Sequence, residues 1–272
     1  MRPDGEVFVR TLRPALRAAS SIARALEGRV QNRPKPGEDT DVKAAMTLAD
    51  SAAQEAILVP LHERYPEVGL AAEEETATAK RFPACEDPIV VVDPIDGTLR
   101  SYLDGLGPYA VMVGLGVKGR YEAALVALPR EDLFFEAARG RGAWMASGSE
   151  EPGPIRFDEE ARRVMLSYGA PEAALEYLRV RGYVPVLGCG GAIAVAPCVP
   201  GFCAGLRFAN QPEGISIRGR IGLLVSQEAG AVSASDASRP FPSSMVAPAK
   251  ALLVARDTPT LDELAGVLSG RA

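Results

Sequence analysis

Residues Ile89-Val90-Val91-Val92 form an apolar run that ends abruptly in Asp93-Pro94-Ile95-Asp96-Gly97-Thr98. A continuous run of this kind predicts a strand buried on both faces, which requires layers of structure above and below it. The turn that follows is harder to explain by packing. Pro94 fixes the backbone between two carboxylates, and Gly97-Thr98 opens a helix. Asp93 and Asp96 can be read as plain caps of a turn and a helix. They can also be read as oxygen ligands for a hard divalent cation, which keeps several waters and needs only a few carboxylates plus a substrate phosphate. On the second reading the Ile95 carbonyl adds a ligand, and the N–H groups of Gly97 and Thr98 suit a phosphate.

Two upstream segments bear on that choice. Glu73-Glu74-Glu75 follows a short strand pattern at Val68–Ala71 and reads, alone, as a solvated face. Thr47 and Asp50 open a helix predicted over Leu48–Arg64, where Thr47 caps and Asp50 favours the dipole. Pro60 predicts a kink or an early end to that helix.

The rest of the chain supplies the layers. Phe8, Leu12, Leu16, Ala19, Ile22 and Leu26 recur at helical spacing, so a core-facing first helix is expected. Residues 29–45 are polar, with two prolines and a glycine, and read as a surface loop or arm. Ala110–Val117, Ala123–Leu128 and Leu133–Ala137 predict an antiparallel meander. The stretch 147–154 predicts a boundary between a domain at 1–152, carrying the acidic motifs, and one at 153–272 that completes the cleft. Strands at Val164–Tyr168, Val184–Leu187, Phe202–Phe208 and Ala251–Ala255 alternate with helices at Pro171–Arg181, Gly190–Ala196, Arg220–Ala229 and Thr260–Leu268. The whole reads as an α+β or α/β chain.

A net charge of −5 with no basic run disfavours a nucleic-acid partner. No apolar stretch reaches membrane-spanning length. Cys85, Cys189, Cys198 and Cys203 fit no zinc spacing and predict reduced thiols in a cytoplasmic protein.

Taken together, these residues resemble the inositol monophosphatase superfamily of Mg²⁺-dependent, lithium-sensitive phosphatases. The Asp-Pro-Ile-Asp-Gly-Thr motif is complete at 93–98, with Glu73-Glu74 upstream after Tyr65-Pro66. Met46-Thr47-Leu48-Ala49-Asp50 resembles the family's Val-Thr-x-x-Asp, and Gly140-Arg141-Gly142-Ala143 its Gly-x-Gly-Ala turn. The resemblance implies a layered α-β-α-β-α sandwich, usually a homodimer, acting on a small phosphorylated metabolite such as an inositol phosphate, a sugar phosphate or a nucleotide 3′-phosphate. It implies that Glu73, Asp93 and the Ile95 carbonyl hold a first Mg²⁺, and that Asp93 and Asp96 hold a second. It further implies that Glu73 and Thr98, with Asp50 behind Thr98, orient and deprotonate the attacking water, and that Asp96, Gly97 and Thr98 meet the phosphate.

One departure cuts against a simple transfer. The family places an Asp ten residues before the glutamate of its late Glu-Ala-Gly-Gly. Counting back from Glu228 lands on Arg218, and Ala231 replaces the second glycine. Arginine cannot ligate a metal and stays charged. Arg218 can stand in for the second cation by gripping the phosphate, or Glu213 can swing in as a replacement ligand. Alternatively, the site is impaired and the protein binds a phospholigand with little turnover. A fourth reading leaves Arg218 as a solvent-facing residue at a helix start.

Overall fold

The computed structural model describes residues 3–38, 40–209 and 212–269. Helix α1 (Gly5–Leu26) is capped by Asp4, whose side chain accepts from the Val7 N–H at 3.0 Å. Phe8, Leu12, Leu16, Ala19 and Ala23 form its buried face at helical spacing. The polar stretch beyond carries one isolated turn, α2 (Asp41–Ala44), and α3 (Leu48–Arg64) follows. α3 continues through Pro60 rather than ending there. Pro60 is half-exposed, so water can reach that side of the helix and serve the carbonyl it deprives of a partner.

The first sheet comprises β1 (Gly69–Ala71), β2 (Ile89–Asp96), β3 (Ala110–Val117), β4 (Arg120–Leu128), β5 (Leu133–Ala138), β6 (Gly142–Ser147) and β7 (Gly153–Pro154). The strands lie in chain order, with β1 parallel to β2 and every other pair antiparallel. The expected meander is present and extends into β6. The sequence pattern does not mark β6, in which glycine, alanine and serine predominate around Trp144 and Met145; it is held by pairing along the whole of β5.

The second half runs β8 (Arg163–Leu166), α4 (Glu172–Val180), β9 (Val184–Leu187), α5 (Gly190–Ala194), β10 (Phe202–Phe208), α6 (Ile221–Glu228), β11 (Val232–Ser235), β12 (Ala251–Ala255) and α7 (Thr258–Leu264). Its sheet has the order β11-β12-β10-β8-β9. β8 is parallel to both neighbours, whereas β12 is antiparallel to both of its own.

Strand parity builds the layers. Val90 and Val92 pack against α1 and α3, while Val91 faces the opposite way, toward α5 and α6. The other side of that middle helical layer meets β12, where Leu223 and Ala194 contact Leu252 and Val254. Ala174 and Leu178 of α4, with Leu261 and Leu264 of α7, cover the far face of the second sheet. The molecule is an α-β-α-β-α sandwich. Its two halves share one core, in which Val91, Met112 and Val126 meet Ile193, Leu224 and Val225.

Candidate active site

In a regular strand, residues three apart point to opposite faces, so Asp93 and Asp96 could not both serve one cleft. β2 escapes this rule. It pairs with β3 through Asp93 and again at Asp96, with a register irregularity between them. Ile95 turns into the core beneath α1 and α3, and both aspartates line the same cleft. Pro94, which has no N–H to give the ladder, sits in that irregularity. Gly97 then takes a left-handed backbone, φ 91°. A side chain there would be strained and would also press on Cys189 and Ser101. The chain leaves as a short, wide helix, Thr98–Leu103.

Asp50 does two jobs. Its Oδ2 accepts from the Thr47 N–H and the Thr47 hydroxyl, both at 2.7 Å, closing the cap of α3. Its Oδ1 lies 3.0 Å from the Thr98 hydroxyl, which also reaches the Ile95 carbonyl at 2.8 Å. Burial raises the Asp50 carboxyl to about 6, against the opposing pull of the Thr47 and Thr98 hydrogen bonds. Asp50 therefore closes the cap of α3 and contacts Thr98 with its other oxygen.

The three glutamates meet three environments. Glu75 is exposed. Glu74 is buried, and its backbone is held by Gln54, which donates to its carbonyl at 2.6 Å and accepts from its N–H at 2.9 Å. Glu73 is half-buried in the cleft, between two cations. Lys35 Nζ lies 3.4 Å from Glu73 Oε1 and 3.0 Å from Glu74 Oε1. Arg218 Nε lies 3.9 Å from Glu73 Oε2 and 3.6 Å from Asp93 Oδ2. Arg218 is thus in the acidic group and not a solvent-facing helix start. At these distances it contributes charge without a hydrogen bond, which leaves its donors for another partner. Burial opposes its charge, but Asp93, Glu73 and Asp96 overcome that and hold the guanidinium more firmly protonated than usual.

Asp93 is crowded by like charge. Burial, then Glu73, then Asp96 push its carboxyl well above the usual range, with Arg218 pulling the other way. Its Oδ1 is buried without a hydrogen-bond partner among the described residues. Asp96 instead turns one oxygen to the Gly191 N–H.

The cleft has a volume of about 470 Å³ and takes in Glu73, Asp93, Ile95, Asp96, Gly97, Thr98 and Arg218. Glu213 is exposed and does not line it, so the structure does not bring that carboxylate to the acidic group. Lys35 and Arg207 are cleft or site residues that the sequence pattern did not single out. Lys35 hides in a polar loop, flanked by Pro34 and Pro36. Arg207 interrupts an apolar strand near its end, a signal that could have marked it. Cys189 lies at the cleft wall, where burial and then Asp96 push its thiol up.

A model of the inositol monophosphatase family matches residues 9–171, more than half of the chain. The chain belongs to the inositol monophosphatase family. Human inositol monophosphatase 2 is 30% identical over 144 residues, covering 52% of this chain and 48% of that protein. A histidinol-phosphatase of Chlorobaculum parvum is 34% identical over 108 residues, 40% of this chain and 38% of that one. A Nus factor SuhB of Pasteurella multocida is 33% identical over 134 residues, 48% and 47% of the two chains. The chain therefore spans about half the length of the curated relatives it matches. Among solved structures, an IMPase of Thermotoga maritima superposes with a TM-score of 0.76 at 20% identity, over 94% of each chain. One from Anabaena gives 0.69 at 18%, over 98% and 96%. The family match ends before Arg207 and Arg218, in the half where the chain departs from the family's pattern.

The donor set suits a cation in part. An orphaned buried oxygen on Asp93, Glu73 beside it and the Ile95 carbonyl form a hard-oxygen set. Yet among the described residues no three ligating side chains converge as a closed metal site would require. Arg218 adds a fixed positive charge beside Asp93 and Glu73. Glu73, Asp93 and the Ile95 carbonyl are the groups that could hold a divalent ion.

Proposed function

We propose that the chain is a Mg²⁺-dependent phosphomonoesterase for small phosphorylated metabolites, with Arg218 replacing one of the family's cations. The observation that carries this is the position of Arg218, 3.6 Å from Asp93 and 3.9 Å from Glu73 and lining the cleft. Glu73, Asp93 and the Ile95 carbonyl would hold the ion, and Asp96 supplies further negative charge beside them. When bound, Mg²⁺ supplies a lowered water pKa and neutralises phosphate charge.

The chain's own groups do the rest. Arg218 grips two phosphate oxygens with its planar fork. Thr98 orients the attacking water and relays its proton to Asp50 Oδ1, which is buried and ready to accept it above about pH 6. Glu73 fixes the water's second hydrogen bond. Most of the rate comes from positioning and charge. The family resemblance carries the remaining elements of this proposal, a homodimer in the cytoplasm. Among the described residues no helix is long and apolar enough to cross a membrane.

The same arginine favours a second reading. Lys35 and Arg218 already neutralise Glu73, so the ion is weakly held and the protein binds a phospholigand with little turnover. Release of inorganic phosphate from inositol 1-phosphate, fructose 1,6-bisphosphate and 3′-phosphoadenosine 5′-phosphate, with and without Mg²⁺, separates the two. Mg²⁺-dependent release supports the enzyme. No release from any ester, with binding intact, supports the second reading.

A further inference from the structure

Two arginines of the second half show what a structural role and a waiting one look like. Arg220 is buried and saturated. Its Nε and Nη2 donate to the Ile215 carbonyl at 3.1 and 3.0 Å, and its Nη1 to the Ser244 carbonyl at 2.8 Å. It also lies over the Phe241 ring. Arg207 is different. Among the described residues it makes a single long hydrogen bond, Nη1 to the Gly219 carbonyl at 3.4 Å, and no carboxylate pairs with it. Most of the five donors of this fixed cation are therefore unspent.

Its placement is built rather than casual. Gly205 and Arg207 share a face of β10, and Gly205 is pressed against the Ile193 carbonyl of α5, so that face looks into the middle layer. The Arg207 guanidinium threads between two glycine backbones. A Cβ at Gly190 would lie 2.2 Å from Nη1, and one at Gly219 would lie 2.0 Å from it. Gly190 precedes the N–H that holds Asp96, and Gly219 follows Arg218. The guanidinium thus lines the shared cleft, against glycines whose chain neighbours are Gly191, which holds Asp96, and Arg218.

We propose that Arg207 is a specificity-determining residue: it binds a second anionic group, phosphate or carboxylate, on the substrate. This rests on reading the cleft as a phosphate-ester site. A guanidinium that cannot lose its charge and has few protein partners favours a bidentate oxyanion over a neutral hydroxyl. A phosphate monoester that is otherwise uncharged leaves Arg207 unmatched. A bisphosphate or a phosphorylated carboxylic acid does not.

The test is calorimetry on the full chain without divalent ion, so that no ester is cleaved. The probes are inorganic phosphate, inositol 1-phosphate, fructose 1,6-bisphosphate and 3-phosphoglycerate. The ester whose second anion fits binds about tenfold or more tighter than inositol 1-phosphate, as expected for a charged hydrogen-bonded contact. Preference for the bisphosphate identifies a phosphate as that anion, and preference for 3-phosphoglycerate a carboxylate. Arg207→Gln brings the ratio close to one, and Arg207→Lys keeps part of it. With Mg²⁺ present, Arg207→Gln raises KM for the preferred ester more than it lowers kcat. Equal binding of all three esters by the wild type, or equal loss for all three in Arg207→Gln, overturns the assignment of Arg207. If inorganic phosphate fails to bind both without and with Mg²⁺, the phosphate-site reading falls and this inference falls with it.

Discussion

At the scale of single residues, the site is organised around charge that the protein cannot neutralise by itself. Asp93 keeps an oxygen buried without a partner, and the neighbouring carboxylates raise its pKa further. Asp93→Asn is expected to lower Mg²⁺-dependent turnover about 100-fold or more, measured as kcat for phosphate release. Arg218→Ala separates the two readings of the site. If Arg218 serves as a built-in cation, the variant binds Mg²⁺ more tightly by calorimetry, yet its kcat falls about tenfold or more. If Arg218 merely blocks the site, kcat rises. Asp50 sets the pH response. It must be ionised to take the proton from Thr98, so the rate falls on the acid side with a midpoint near pH 6, and Asp50→Asn removes that limb. The same group acts on stability with a defined sign. The folded state keeps the Asp50 proton to about pH 6, whereas the unfolded chain releases it near 3.8. Its contribution to stability is therefore greatest below the unfolded value and is withdrawn as pH rises toward 6, which urea midpoints across that range would register. That Asp93, Asp96 and Thr98 share one turn was legible in the sequence because their spacing is local. Arg207 and Lys35 were not, because what singles them out is their neighbours across the fold.

Among the elements, one arginine tethers the short helix that follows the acidic motif to the end of α1. Arg130, in the turn after β4, donates through Nε and Nη2 to Glu27 Oε1 at 3.0 and 2.5 Å, and through Nη2 to the Ser101 carbonyl at 3.0 Å. It also holds the Gly107 carbonyl. It thus ties the end of α1 to the helix that Thr98 opens. Arg130→Ala is expected to cost about 2 kcal/mol in chemical denaturation, as for lost charged hydrogen bonds at a partly buried pair. Because the helix it tethers carries Thr98, kcat should fall as well. Periodicity located most of the elements, since each buries a stripe or a face of apolar residues. It missed β6 and β11, whose short and partly polar sequences are stabilised by neighbouring strands rather than by their own composition. It also could not show the irregularity in β2, which brings Asp93 and Asp96 to one side and depends on pairing with β3.

For the whole molecule, cover on both faces of β2 was readable from Ile89–Val92, whereas the full five-layer order was expected only from the family resemblance. The relation between the halves was not readable. We propose that the segments 1–152 and 153–272 are two halves of one folding unit, because the layer of α5 and α6 is packed by both sheets. Expressed alone, residues 1–152 would expose the face formed by Val91, Met112 and Val126, bind a hydrophobic dye and lack a cooperative melt. A cooperative transition in that fragment would refute the shared core as a folding requirement. The acidic residues come from the first half and both arginines from the second, so the cleft exists only when the halves are joined. The most direct test of the account is a Mg²⁺ titration of phosphate release from the esters named above, in wild type and Asp93→Asn. The account predicts that wild-type release rises from background and saturates as for a single ion, while the variant stays flat. Release that ignores Mg²⁺, or that proceeds equally in both proteins, would contradict it.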